Sequence, residues 1–264
     1  MKSDFTLHKY DELLNAIQKA EYDVKPVANF LESPNEKCII LRHDVDRDIR
    51  RALEMALIEN ERNIISTYYF RYKKSVFKPD IIKEIAALGH EIGYHYEVLD
   101  KSKGDILKAK DIFVEELNDF RKISEVRTVC MHGNPLTPWV NSNLWNHYQL
   151  SDFAIMGEPY ISIDYSKVLY ITDTGRTWGE PNVNVKDIVS DDKVKLTAVN
   201  VESTDDVINL ILENRISQIC ISAHPNRWCN DTWGWSKEYV FQNMKNVVKQ
   251  QIISRRERSN KSAN

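Results

Sequence analysis

Several short apolar runs in this sequence end in residues that can bind a metal or transfer a proton. The runs are CIILRHDVD, which starts at Cys38, and EIGYHYE, CMHGN, YITDTGRTW and ISAHPNRW farther along the chain. The residues with this chemistry are His43, Asp44, Asp46, His95, Glu97, His132, Asp173 and His224. Histidines and carboxylates are ligands of zinc, and they are also general acids and bases. The pattern predicts a metal-dependent hydrolytic site, provided that these ends meet in space.

Asp44 and Asp46 lie two residues apart at the end of the first run. Side chains at this spacing on an extended chain point to the same face. Two carboxylates in one cavity repel each other, so a cation readily engages one while the other is left to act as a base. The alternative is that one of them caps the following helix. Their place at the end of a strand favours the functional interpretation.

Three histidines, His95, His132 and His224, end three separate runs. A lone histidine on an apolar face is usually a core residue with its hydrogen bonds satisfied, but these three share the same position relative to their runs. Histidine is the commonest ligand of zinc, and its near-neutral pKa suits protonation of a leaving amine. We therefore expect these three side chains to belong to one site.

The elements that must position these residues alternate along the chain, which is typical of parallel βα units. The predicted strands are Cys38–Leu41, Ile64–Phe70, Glu91–Tyr94, Arg127–Met131, Ala154–Met156, Val168–Ile171, Lys195–Val199 and Gln218–Ser222. The predicted helices include Asp48–Asn60, Pro79–Leu88, Asp105–Ile123, Pro138–Tyr148, Thr204–Asn214 and Ser236–Ile253. In a closed parallel barrel the C-terminal ends of the strands converge on one rim, where active sites form. We predict a single α/β barrel domain over residues 1–253 and a polar, basic, disordered tail over residues 254–264.

Composition narrows the choice of partners and compartment. The 264 residues carry a formal net charge of −3, which gives no electrostatic reason to bind nucleic acid. No apolar stretch is long enough to cross a bilayer, and the first twenty residues have no signal-peptide core. Cys38, Cys130 and Cys220 lie inside apolar runs and no CxxC pair occurs, which indicates buried free thiols. We expect a cytoplasmic protein.

The order of the motifs HDVD, HEIGYH and ISAHP resembles that of the polysaccharide deacetylase superfamily, over about residues 38–230. The resemblance implies a distorted (β/α)7 barrel with an Asp–His–His metal site, usually zinc, that removes N-acetyl groups from amino sugars. Matched residue by residue, it implies that Asp44 is the base, that Asp46 and His95 bind the metal, and that His224 is the general acid. A fourth motif of the family is matched loosely by Asp173 and Trp178 in DTGRTW.

The sequence also departs from the family pattern. The second metal-binding histidine would fall at Leu99, and the Arg-x-Pro-Tyr-Gly motif is replaced by HGNP. Three alternatives follow: His132 completes the metal site, Glu97 completes it, or no metal binds. We favour His132, because it ends the next predicted strand and because histidine suits zinc.

Aromatic residues surround the last motif. Trp178 and Trp228 could stack on a sugar ring, or they could cap the core of the barrel, since such rings carry a large buried area. We assign Trp178, Trp228 and Arg176 to substrate binding, and Asp173 or Arg176 could also orient His224. The substrate that we expect is a small or lipid-linked amino sugar, such as a precursor of a surface polysaccharide.

The leading hypothesis is thus a metal-dependent amide hydrolase, with zinc as the expected cofactor. One alternative is a sugar-binding relative that has lost the metal, which Leu99 favours. Another is a hydrolase of cyclic amides or imides, which would need a small closed pocket rather than an aromatic groove.

Overall fold

The computed structural model describes residues 4–34, 36–178 and 201–261, without the side chains of Thr232 and of residues 248–261. Seven parallel strands form one sheet that curls into a half-barrel, with helices outside it. The strands are β1 (Asp23–Lys25), β2 (Cys38–Val45), β3 (Thr67–Arg71), β4 (Glu91–Tyr96), β5 (Val129–Met131), β6 (Leu169–Thr172) and β7 (Gln218–Ala223). The α/β fold class predicted from the sequence is confirmed.

The helices are amphipathic segments between the strands, and several begin at a side-chain cap. Thr6, Asp105 and Ser203 cap three of them by accepting a hydrogen bond from a backbone N–H of the first turn. The helices are α1 (Leu7–Lys19), α2 (Val27–Glu32), α3 (Ile49–Glu61), α4 (Pro79–Ala87), α5 (Val98–Ser102), α6 (Ile106–Arg121), α7 (Pro159–Ser162), α8 (Thr204–Glu213) and α9 (Thr232–Lys261). Among the residues described, no helix combines the length and hydrophobicity needed to cross a bilayer.

The strand order is β5-β4-β3-β2-β7-β6, with β1 paired to the first residues of β2. β3 pairs with the last residues of β2, from Arg42 to Val45, so β1 and β3 share one side of the same strand. Beyond β5 a single parallel bridge joins Thr128 to Gly157. Tyr160 follows that bridge and Tyr170 lies on β6, and their hydroxyls are 3.3 Å apart. These two tyrosines join chain segments from opposite edges of the sheet.

The central strand β2 is buried along all eight of its residues. Because side chains alternate along a strand, Arg42 and Asp44 point into the half-barrel, whereas His43 points toward α3. The sequence pattern predicted that His43 joins the other residues at the strand ends, which is wrong. The physical reason is that β2 continues four residues beyond Leu41, where the predicted strand ended.

Other boundaries differ because tertiary contacts override local patterns. The predicted helix Pro138–Tyr148 is a 3-10 turn over Asn141–Asn146, and Ala154–Met156 forms no strand, although its neighbour Gly157 makes the bridge to Thr128. The predicted strand Lys195–Val199 lies outside the described residues. Helix α9 runs through Lys261 and so includes residues assigned to the tail. The domain boundary at residue 254 stays a prediction.

A carboxylate lies fully buried between β2, β3 and the helices outside them. Glu59 on α3 is 0% exposed; its Oε1 accepts a hydrogen bond from Tyr10 and lies 2.6 Å from His43 Nε2. Its Oε2 accepts hydrogen bonds from Ser66 at 2.6 Å and Tyr68 at 3.0 Å. Burial alone raises the pKa of Glu59, but His43 and the hydrogen-bond donors lower that pKa to about 2. Glu59 therefore ties α1 and α3 to the sheet as an anion.

We predict that Glu59 makes the stability of the protein depend on pH. Its folded-state pKa lies below the unfolded value, so its contribution is present above about pH 4.5 and is lost as the pH falls toward about 2. A shift of this size corresponds to about 3 kcal/mol. Urea unfolding between pH 7 and pH 2.5 should show the free energy of unfolding falling more steeply in the wild type than in Glu59→Gln.

The matched control is Glu61→Gln, which changes an exposed carboxylate on the same helix. That variant should keep the pH dependence of the wild type. Equal slopes for the wild type and Glu59→Gln would show that the buried carboxylate does not supply this stability.

Candidate active site

Neighbouring strands bring three of the residues singled out from the sequence to one end of the sheet. Asp46 directly follows β2, His95 is on β4, and His132 directly follows β5. The strands are in register here, because His95 pairs with Cys130 and the backbone N–H of His132 donates to the carbonyl of Tyr96 at 2.8 Å. The C-terminal ends of parallel strands thus converge as the sequence pattern required.

The carboxylate of Asp46 lies between the two imidazoles. Its Oδ1 is 3.6 Å from His95 Nε2 and 3.4 Å from His132 Nε2. The same oxygen is buried and has no hydrogen-bond partner among the described residues. Ligand atoms placed roughly 2.0–2.1 Å from a tetrahedral zinc ion are about 3.3–3.4 Å apart. These two separations are therefore close to those of a zinc site, although among the described residues these three do not form one of the groups whose ligand atoms all lie within 4.8 Å of one another.

The hydrogen bonds of the two histidines fix which nitrogen is available. His95 Nδ1 lies 2.9 Å from the carbonyl oxygen of Cys130, so Nδ1 carries the proton and Nε2 presents a lone pair. His132 presents Nε2 to Asp46, and its Nδ1 is 3.5 Å from Glu97 Oε2. Asp46 Oδ1 and His95 Nε2 thus face each other at 3.6 Å without a hydrogen bond between them. A cation placed between these two atoms would be bound by both.

The electrostatics of the site favour the protonation states that bind a metal. Burial alone raises the pKa of Asp46, but His132, His224, His95 and Arg71 hold that pKa well below its usual value. Burial also lowers the pKa of His132 well below its usual value, and the positive charge of Arg71 adds to this effect. At neutral pH Asp46 is therefore a carboxylate and His132 a neutral imidazole.

Two further groups of possible ligands share one histidine each with this set. The groups are Asp44, His95 and Cys130, and Glu97, Asp100 and His132. Burial raises the pKa of the Cys130 thiol well above its usual value, which disfavours the thiolate that binds metals. Glu97 is occupied by an ion pair with Arg71. Leu99, where the family resemblance implies a histidine, is 2% exposed and packs in the core.

Asp44 occupies the floor of this end of the half-barrel. Its Oδ2 is 3.4 Å from the Nη2 of Arg42, a guanidinium that is itself 0% exposed. Its Oδ1 is buried and has no hydrogen-bond partner among the described residues. One oxygen of Asp44 is thus paired with a cation, and the other is available to accept a proton.

His224 and Asp173 form a buried pair at the ends of β7 and β6. His224 Nδ1 is 2.7 Å from Asp173 Oδ1, and the backbone N–H of His224 donates to Oδ2 at 3.0 Å. Trp228 Nε1 donates to the same Oδ2 at 2.8 Å, and Arg227 Nη1 donates to Oδ1 at 2.6 Å. Burial raises the pKa of Asp173, but Arg227 and His224 lower it below its usual value. An ionised Asp173 therefore holds the His224 ring through Nδ1, which leaves Nε2 for other chemistry.

The residues assigned to substrate binding lie in or next to the hydrophobic cluster beside His224 and Asp173. Trp228 is 0% exposed and Trp178 is 6% exposed, and both pack in the same hydrophobic cluster with Phe5. Arg176 stacks on Trp235, with its guanidinium carbon 4.3 Å from the ring centroid, and donates to the carbonyl of Trp235 at 2.9 Å. The structure does not bring these three side chains to Asp46. The two indoles adopt the core-capping arrangement that was weighed from the sequence.

Three basic residues near the site were not singled out from the sequence. Arg71 ends β3 and Arg227 follows β7, so both obey the strand-end pattern and could have been found by it. Arg42 could not have been found from the sequence, because no sequence signal shows that a charged residue inside a strand faces the interior.

Comparisons with known proteins add a distant structural likeness. No protein-family model matches the sequence, and no curated protein matches it. The chain is similar in structure to two crystal structures of mutants of BA3943, a CE4 family pseudoenzyme, one of them a mutant with restored enzymatic activity. The TM-scores are 0.39 and 0.38 at 13% sequence identity, over 82% of this chain and 65% and 64% of those chains. This chain spans slightly less than two thirds of their length, and a likeness at this level carries no catalytic role from them to it.

Proposed function

We propose that this protein is a metal-dependent hydrolase that removes an N-acetyl or similar acyl group from an amino-sugar substrate. The observation that carries the proposal is the Oδ1 of Asp46, buried without a hydrogen-bond donor 3.6 Å and 3.4 Å from two imidazole nitrogens. Asp46, His95 and His132 would hold the metal, which we expect to be zinc. Two imidazoles and one carboxylate are a common ligand set of catalytic zinc.

A bound zinc ion would polarise the acyl carbonyl and lower the pKa of a bound water molecule to about 7. Asp44 would act as the general base. Its Oδ1 is buried without a hydrogen-bond partner among the described residues and would accept the proton, while Oδ2 lies 3.4 Å from Arg42 Nη2.

His224 would act as the general acid that protonates the leaving amine. Its Nδ1 lies 2.7 Å from Asp173 Oδ1 and 3.0 Å from Arg227 Nη1, contacts that orient the ring and leave Nε2 as the atom that would donate the proton. His224 is also near enough to Asp46 to help lower the pKa of that carboxylate, which supports its placement at the same site. Asp173 would be a positioning residue, since it acts through His224.

We predict that the purified protein contains about one zinc ion, or a similar divalent ion, per chain, and that His95→Ala, His132→Ala and Asp46→Asn each lose it. Each change removes one of three ligands, and three protein ligands are the usual number at a catalytic zinc. Elemental analysis after gel filtration measures the metal content. Glu97→Gln should retain the metal with affinity reduced by roughly 10- to 100-fold, because Glu97 would act only through His132.

The matched control is His147→Ala, which removes an exposed histidine far along the chain from the strand ends and should leave the metal content unchanged. Metal lost with His95→Ala but kept in His132→Ala would assign the third position to Glu97 or another group. No metal in the wild type after incubation with zinc would overturn the hydrolase and favour the sugar-binding alternative.

We further predict that Asp44→Asn and His224→Gln lower kcat by about 10²- to 10⁴-fold while the metal content stays at the wild-type value. Release of acetate from N-acetylated amino sugars, with cyclic imides as a second substrate panel, measures the activity. Hydrolysis of the cyclic imides alone would identify the protein as a cyclic amide hydrolase. Full activity in both variants would show that Asp44 is not the general base and that His224 is not the general acid.

A further inference from the structure

A cavity opens directly in front of the candidate metal site, and its walls are basic. Its volume is about 480 Å³. The lining residues are Asp46, Arg47, Arg71, His132, Gly133, Asn134, Pro135, Leu136, Arg227, Phe241, Gln242, Met244 and Lys245. Four of these are arginine or lysine, and one is a carboxylate. A substrate that enters this cavity therefore meets a net positive wall, and a divalent ion at Asp46 would add to that charge.

The cations of the wall differ in how they are neutralised. Among the described residues, Arg47 pairs with Glu238, Arg71 with Glu97 and with Asp46, and Arg227 with Asp173. Lys245 makes no ion pair with any described residue. Its Nζ lies 4.5 Å from the centroid of the Phe241 ring, and the guanidinium of Arg47 lies 4.8 Å from the same centroid. Two positive charges thus share one aromatic ring.

The pKa of Lys245 reflects this crowding. Lys245 is exposed on α9, but desolvation of its ammonium group and the nearby charge of Arg47 lower its pKa to about 8. An anion bound beside it would oppose both effects, because it would supply the missing partner and screen Arg47. The ammonium group is therefore placed where a negatively charged ligand gains most.

Arg227 supplies a second, independent sign of a missing ligand. Its side chain lines the cavity although the residue is only 6% exposed. Nη1 is held by the carboxylate of Asp173 at 2.6 Å and by its carbonyl oxygen. The buried Nε has no hydrogen-bond partner among the described residues. Buried guanidinium nitrogens normally have an acceptor, so one is missing here.

We propose that the mouth of this cavity binds a phosphate group on the non-reacting part of the substrate, with Lys245 and Arg227 as its principal ligands and Arg47 beside them. This proposal rests on the proposed function in one respect: the amide that reacts is placed at Asp46. A phosphate presents several charged oxygens in different directions, which suits donors on two different walls. The substrate class is then a phosphorylated, N-acylated amino sugar rather than a neutral polymer.

The test is calorimetric titration of the full-length protein with inorganic phosphate at constant ionic strength. We expect saturable binding in the wild type and a Kd raised about tenfold in Lys245→Gln, which loses one charge-assisted contact. The matched control is Lys237→Gln, which removes an exposed charge from α9 outside this cavity and should leave the Kd unchanged. Acetate at the same ionic strength should not saturate the site.

A second variant separates this site from the metal. Phosphate should bind His95→Ala with nearly the wild-type Kd, so that loss of the metal and loss of phosphate binding are independent results. Binding abolished by His95→Ala but unaffected by Lys245→Gln would place the phosphate on the metal and overturn the proposal. Equal Kd values for Lys245→Gln and Lys237→Gln would also overturn it.

Competition binding experiments identify the molecule that carries the phosphate group. A soluble amino-sugar phosphate that displaces inorganic phosphate supports a soluble ester. Displacement by phosphatidylcholine vesicles containing phosphatidic acid, and not by the soluble ester, supports a lipid-linked phosphate. Displacement by neither would overturn the assignment of this mouth to the substrate.

Discussion

The guanidinium of Arg42 lies at the centre of the half-barrel, and the other walls are arranged around it. Its Nη1 is 2.8 Å from Cys130 Sγ on β5, and its Nη2 is 2.8 Å from the hydroxyl of Tyr160 and 3.3 Å from that of Tyr170 on β6. The same Nη2 is 3.4 Å from Asp44 Oδ2. Removing any charge from such a buried set leaves the others uncompensated, so the set constrains both edges of the sheet at once. It also fixes the position of Asp44 beneath the candidate metal site.

Alternation along β2 divides its polar residues into two separate networks. Arg42 and Asp44 belong to the interior, whereas His43 belongs to the group around Glu59 outside the sheet. The exterior group joins α1 and α3 to the sheet, and the interior group supports the site. One eight-residue strand therefore holds the helices on one face and the floor of the candidate site on the other. The charged residues in CIILRHDVD serve two functions rather than one.

In the candidate site, burial and the neighbouring positive charges have opposite effects on the pKa of Asp46. Asp46 Oδ1 lies 3.6 Å from His95 Nε2 and 3.4 Å from His132 Nε2 without a hydrogen bond to either, an arrangement that a bound cation would stabilise. The pair of His224 and Asp173 is satisfied internally, through a hydrogen bond that also orients the ring. The cavity in front adds basic residues from β3, from the turn after β7 and from α9. The proposed metal ligands, the proposed acid and the basic wall thus come from different parts of the chain and meet only at the C-terminal ends of the strands.

Residues near each other in sequence could be interpreted without a structure, because their effects are local. The apolar runs, the helical periodicity and the polar strand ends predicted the α/β class and placed Asp46, His95 and His132 at neighbouring strand ends. Leu99 was recognisable as a departure, but its burial in the core was not. Only the tertiary structure showed that Arg42 is internal, since burial depends on how far β2 continues and on which strands flank it. The contribution of α9 to the cavity likewise depends on docking of a helix about 200 residues away from Asp46 in sequence, which no local pattern encodes.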